Sequence, residues 1–163
     1  HIAPEDSPFG LAILSRVPMI NVKTILNDDA IGRVEAEVSW NGHLIPVVAF
    51  HPMPPISTRY HGMRNAELAQ IVANFSQENR PAILAGDLNP TPWSSAFHGL
   101  ESLGVRRATG LRPTWPAVGQ GWLGIPIDHV LVTKHWRVID QHIGLDIGSD
   151  HLPVITRLSL GAN

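Results

Sequence analysis

The stretch 34–50 limits the possible folds of this chain more than any other. Val34, Ala36, Val38 and Trp40 alternate with Glu35, Glu37 and Ser39, the period of a strand with one buried face. Asn41-Gly42 follows, a pair suited to a two-residue turn in which both residues take left-handed backbone angles. Residues 43–50 then form the return strand. Pro46 within it lacks a ladder donor, which predicts an edge position or a bulge. A chain carrying this hairpin must build a sheet and cover its apolar face with another layer.

Further elements fall on either side. Gly10-Leu11-Ala12-Ile13-Leu14-Ser15 reads as a short buried strand ended by Arg16 and Pro18. His51-Pro52-Met53-Pro54-Pro55 can neither extend a ladder nor open a helix, so a loop leaves the strand end. Residues 63–77 switch to helical spacing, with Leu68, Ile71, Val72 and Phe75 on one face, and Asn79 and Pro81 stop the helix. Residues 82–85 form a buried strand running into Gly86-Asp87-Leu88-Asn89. Thr91 before Pro92 predicts an N-cap for a short helix through Phe97, and residues 99–124 predict irregular loops. Strands return at 127–132, 138–142 and 154–160, which makes the whole a layered α/β or α+β domain.

Composition removes several functional classes. The 163 residues contain no cysteine, which excludes disulfides, thiolate zinc sites and cysteine nucleophiles. Acidic residues outnumber basic ones by 14 to 12, and Lys23 and Lys134 are the only lysines, a poor match to the basic surface of a non-specific duplex binder. No apolar run approaches the length of a membrane helix, about 20 residues. No HExxH helix, G-x-S-x-G elbow, Walker loop or Rossmann glycine pattern is present.

The conspicuous polar residues sit where apolar strands finish. His51 follows Val47-Val48-Ala49-Phe50, Asp87 and Asn89 follow 82–85, Asp150-His151 precedes the last strand, and Asp128 lies within 127–132. Each has a structural alternative. His51 suits a surface loop, Gly-Asp-Leu-Asn suits an Asx turn, and Asp150-His151 suits a loop cap. Asp128 within an apolar strand needs a partner, either an arginine or a histidine that it orients. If these groups converge, the combination suits hydrolysis of a phosphate ester, with oxygen ligands favouring Mg²⁺ or Mn²⁺.

Taken in order, these motifs resemble the endonuclease/exonuclease/phosphatase superfamily. The matching pieces are Gly10-Leu11-Ala12-Ile13-Leu14-Ser15-Arg16, His51-x-x-Pro54, Gly86-Asp87-Leu88-Asn89, Ile127-Asp128-His129 and Ser149-Asp150-His151-Leu152-Pro153-Val154. The resemblance implies a deoxyribonuclease I-like fold, a four-layered α/β sandwich of two packed mixed sheets. It implies a metal-dependent phosphoesterase in which water attacks phosphorus in line, with Mg²⁺ or Mn²⁺ stabilising the developing charge. In that scheme His51 contacts the phosphate, Asp87 orients or deprotonates the water, and Asn89 binds phosphate or metal. Asp150 joins Asp87 and Asn89 at the metal, while Asp128 orients His151, which contacts phosphate or transfers a proton. Arg64 and His129 are read as structural, His61 and His98 have no assigned role, and Trp115 and Trp122 are expected to be packed.

Family members carry about a hundred residues upstream of the Gly-Leu-Ala-Ile-Leu-Ser-Arg strand, including the principal metal-binding Glu. The expectation is therefore that 1–163 is the C-terminal two-thirds of such a domain. Its substrate is either a nucleic acid or a small-molecule or lipid head-group phosphate. The alternative is a catalytically inactive binding or scaffolding module with the same fold.

Overall fold

A computed structural model describes residues 2–3, 10–27, 29 and 31–161. Among them are strands β1 (Ile2–Ala3), β2 (Leu11–Ala12), β3 (Met19–Leu26), β4 (Gly32–Trp40) and β5 (His43–Phe50), then helix α1 (Thr58–Glu78). β6 (Ile83–Asp87), β7 (Val105–Arg107), β8 (Asp128–Thr133), β9 (Trp136–Ile143) and β10 (Val154–Leu160) follow. Six strands form one mixed sheet in the order β3-β4-β5-β6-β8-β7, while β9 and β10 form an antiparallel pair and β1 and β2 another.

The hairpin of β4 and β5 forms as its sequence demands. Asn41 and Gly42 take φ of 47° and 79°, and the ladder runs from Trp40↔His43 to Arg33↔Phe50. The expected edge or bulge at Pro46 is corrected, because β5 is internal to the sheet. Its pairing with β6 begins at Val47, so Pro46 has a ladder partner only in Glu37 of β4. β5 and β6 run parallel, and α1 supplies the crossover that a parallel pair requires.

The helix begins at Thr58, five residues earlier than the apolar spacing shows. Its first turn is polar and leaves no stripe, but Ser57 caps it, accepting from the Tyr60 N–H at 3.1 Å. Asn79 ends it in the left-handed region, its N–H donating to the Phe75 carbonyl. The predicted cap at Thr91 is also corrected: the short 3₁₀ turn Ser95–Phe97 is capped by Ser94. The expected 10–15 strand shortens to Leu11–Ala12, and β3 and β7 have no counterpart in the sequence expectation.

Strand alternation divides the core between the two faces of the sheet. Val48, Phe50, Leu84 and Leu131 meet Leu68, Ile71, Val72 and Phe75 of α1. Ile45, Val47, Ile83, Val130 and Val132 meet Trp136, Val138, Leu158 and Leu160 of β9 and β10. Helix, six-stranded sheet and β9–β10 pair are thus successive layers of the deoxyribonuclease I-like α/β sandwich. No helix among the described residues is long and apolar enough to cross a membrane.

Two positions hold these layers at the site-bearing end. Gly86 has φ 151°, and a Cβ there would lie 2.1 Å from the Phe50 carbonyl oxygen. Only glycine lets β6 approach the end of β5. His129, 1% exposed, lies on the α1 face. Its Nε2 donates to the Pro90 carbonyl at 2.8 Å, its Nδ1 accepts from Thr109 Oγ1 at 3.2 Å, and Phe97 meets its ring edge-on at 4.9 Å. This is the structural histidine the sequence led us to expect. Burial pushes its pKa down to about 4, against opposing help from the Pro90 carbonyl, with the nearby Arg107 charge lowering it further and Asp128 raising it.

Gly86→Ala is expected to cost more than about 2 kcal/mol in chemical denaturation, through backbone displacement and strain. An unchanged midpoint would show that the strands separate freely there. His129 must stay neutral when folded, so its contribution is intact above its unfolded pKa near 6.5 and is lost as pH falls from there through about 4. Denaturation curves should show about 2 kcal/mol of loss between pH 7 and pH 5 that His129→Gln lacks. Identical pH dependence in the two proteins would contradict this role.

Candidate active site

The site is assembled by sheet register. β5 and β6 pair Val47↔Ile83, Val48↔Leu84 and Ala49↔Ala85, and continuing this register by two residues brings His51 beside Asp87. β6 and β8 pair Asp87 directly with Asp128. His51, Asp87 and Asp128 therefore form one row across three neighbouring strand ends. By alternation the row shares the face of Ile83 and Val130, away from α1, which is why the adjacent His129 points elsewhere. His151 reaches this row from the segment leading into β10.

The side chains meet as follows. His51 Nε2 lies 3.5 Å from Asp87 Oδ2, and His151 Nε2 lies 3.8 Å from the same oxygen. His151 Nδ1 donates to Asp128 Oδ2 at 2.8 Å, so the carboxylate fixes the ring and turns Nε2 towards Asp87. Asp87 Oδ1 accepts the Asn89 N–H at 2.9 Å, and Asn89 Nδ2 donates to the Pro52 carbonyl at 2.9 Å. Gly-Asp-Leu-Asn therefore forms the Asx turn. The turn aims Oδ2 of Asp87 between two imidazoles and ties the Asp87 strand end to the loop after His51.

Burial pushes the Asp87 carboxyl up to about 6, reinforced by the Asp128 and Asp150 carboxylates and opposed by the Asn89 N–H and His151. His51 is pushed below its ordinary value by burial first and the His151 charge second, with Asp128 opposing. A carboxylate that binds a proton this readily is suited to orient a water or take its proton near neutral pH. Each imidazole can offer an N–H or a lone pair to a group placed between them. An open cleft of about 320 Å³ adjoins His151 and Asp128, lined also by Ala85, Val130, Ile147 and Pro153.

The remaining expected residues are distributed less tightly. Asp150 is exposed, and its carbonyl accepts the Ala117 N–H at 2.8 Å. Its charge reaches Asp87, but among the described residues no three His, Asp or Glu side chains gather as a metal-holding group. Arg64 is buried on α1, with Nε and Nη2 donating to Asn65 Oδ1 at 3.1 and 2.9 Å. His61 and His98 are exposed. The expectation that Trp115 and Trp122 are packed is corrected: they are 40% and 88% exposed, and the Trp115 ring lies 6.3 Å from that of His151. Trp115 makes an isolated β-bridge with Ile125, and Trp122 follows the 3₁₀ turn Val118–Gly121. Gly86 is the positioning residue that sequence reasoning quoted without a role. Its signal was a glycine directly before a strand-end carboxylate, where a close backbone approach is a standard use.

Comparison with known proteins bears on the family and the fold. Residues 2–151 match the Endonuclease/Exonuclease/phosphatase family. No curated protein matches the chain by sequence. Among solved structures, an endonuclease/exonuclease/phosphatase from Beutenbergia cavernae superposes with a TM-score of 0.72 at 23% identity, over 90% of this chain and 46% of that one. Sphingomyelinase C from Streptomyces griseocarneus gives 0.63 at 17% identity, over 87% and 65%. A mannosyl-6-phosphatase from Bacteroides thetaiotaomicron gives 0.63 at 16% identity, over 88% and 67%. The chain thus spans 46% and 65% of the first two structures it resembles. With a family match over nearly its whole length and the family's layered fold, the chain belongs to the Endonuclease/Exonuclease/phosphatase family.

Proposed function

We propose that these residues form the hydrolytic half-site of a divalent-cation-dependent phosphoesterase. The observation that carries the reading is the placement of one carboxylate oxygen, Asp87 Oδ2, within 3.5 and 3.8 Å of two imidazole nitrogens, one belonging to an Asp–His pair. A phosphoryl group bound between His51 and His151 would receive hydrogen bonds from both rings. Asp87 would then orient the attacking water and accept its proton, and the His151–Asp128 pair would stabilise negative charge or return a proton to the leaving oxygen.

Asp87, Asn89 and Asp150 offer only oxygen donors, the ligand chemistry of Mg²⁺ and Mn²⁺. The carboxylates that raise the Asp87 pKa also leave local negative charge for a cation to offset. These three residues would be the chain's own contribution to a metal site. When bound, such a cation supplies charge neutralisation at phosphorus.

The substrate class is a phosphate ester. A sphingomyelinase and a sugar phosphatase share this fold at 17% and 16% identity, and a chain with only two lysines suits a compact phosphate head group better than non-specific duplex DNA. The test is turnover by the full-length protein with Mg²⁺ or Mn²⁺ on duplex DNA, single-stranded DNA, RNA, inositol phosphates and phospholipid head groups. Asp87→Asn and His151→Ala are each expected to lower the observed kcat by at least about 100-fold. Because burial and neighbouring carboxylates disfavour the ionised Asp87, Asp87→Asn should leave the Tm unchanged or raise it. Undiminished turnover in both variants would remove these residues from the reaction.

A further inference from the structure

Asp128 and His151 make the shortest contact of the site, yet they belong to separate sheets. Asp128 opens β8 in the six-stranded sheet, whereas His151 precedes β10, which among the described residues pairs with β9. No strand ladder among the described residues sets their separation. One residue between them touches both sides. Thr114 is 1% exposed. Its Oγ1 accepts the N–H groups of Ile127 and Asp128 at 3.1 and 3.3 Å and donates to the Ile125 carbonyl at 3.4 Å. Its own carbonyl accepts the Leu152 N–H at 2.8 Å, one residue beyond His151. Three residues on, the Ala117 N–H donates to the Asp150 carbonyl at 2.8 Å, one residue before His151. The segment 114–117 therefore brackets His151 on its two flanks while the Thr114 hydroxyl holds the first peptides of β8.

We propose that Thr114 is a positioning residue that sets the His151–Asp128 hydrogen bond by fixing the backbone of both partners. The side chain does the work on the Asp128 side, and the main chain does it on the His151 side. Valine has nearly the same shape but no hydroxyl, so Thr114→Val removes the acceptor of the buried Ile127 N–H and the half-buried Asp128 N–H. The start of β8 must then shift to find another, carrying Asp128 with it. Serine keeps the oxygen and removes only the methyl group, so Thr114→Ser should preserve the geometry.

The direct readout is the ¹H resonance of the His151 Nδ1 proton, recorded at low temperature and assigned by its loss in His151→Ala. It is expected far downfield in the wild type and in Thr114→Ser, and absent or shifted upfield in Thr114→Val. The kinetic readout rests on the phosphoesterase reading: in the full-length protein Thr114→Val should lower kcat by about 10- to 100-fold with little change in KM, and Thr114→Ser should restore it. An unaltered resonance in Thr114→Val would overturn the proposal. So would its loss in Thr114→Ser, which would assign the role to the methyl group; that arm decides the matter if Thr114→Val does not fold. If the wild type turns over no phosphate ester, the functional reading fails, while the resonance still decides the role of Thr114.

Discussion

The parallel pairing of β5 with β6 is the constraint on which the site depends. Its register carries His51 to Asp87, and the antiparallel register of β6 with β8 carries Asp87 to Asp128. Three residues separated by dozens of positions in sequence become neighbours because each sits at a strand end in the same row. The pairing needs a crossover, which α1 provides, and a close approach, which only Gly86 allows. Apolar burial on both faces then holds the row in place: α1 covers one side and β9 with β10 the other. Because side chains alternate across a strand, a one-residue slip of β8 would exchange Asp128 for the structural His129.

The same row creates an electrostatic conflict at Asp87. Asp87 is buried beside another carboxylate, and burial alone would favour its neutral form. Two features oppose that pull: the Asx-turn N–H of Asn89 on one oxygen and the His151 charge beside the other. His51 is pulled the same way, towards its neutral form, because burial and a neighbouring imidazole both disfavour its charge.

Much of this was legible in the sequence where local rules and tertiary needs coincide. Alternation and Asn41-Gly42 sufficed for the hairpin because that turn is encoded by the two residues that make it. Polar residues at the ends of apolar strands sufficed to nominate His51, Asp87, Asn89, Asp128 and His151, since burying such groups without purpose is costly. β3 escaped because Asn21, in the left-handed region, shifts its register between Ile20 and Lys23 and breaks the alternation. β7 is three residues long, too short for any period to emerge. The first turn of α1 and the true cap at Ser94 carry no apolar stripe. The sequence assigns Thr114 no separate role, because its bonds run to residues 11 to 38 positions away rather than to its neighbours.

A crystal structure of the chain soaked with inorganic phosphate and Mn²⁺ would locate the phosphoryl group against the row that the sheet register builds. The account predicts phosphate oxygens within hydrogen-bonding distance of both His51 Nε2 and His151 Nε2, with Asp87 Oδ2 facing phosphorus and His151 still bonded to Asp128. Phosphate bound elsewhere, or His51 and His151 separated so that no single phosphate can reach both, would contradict it.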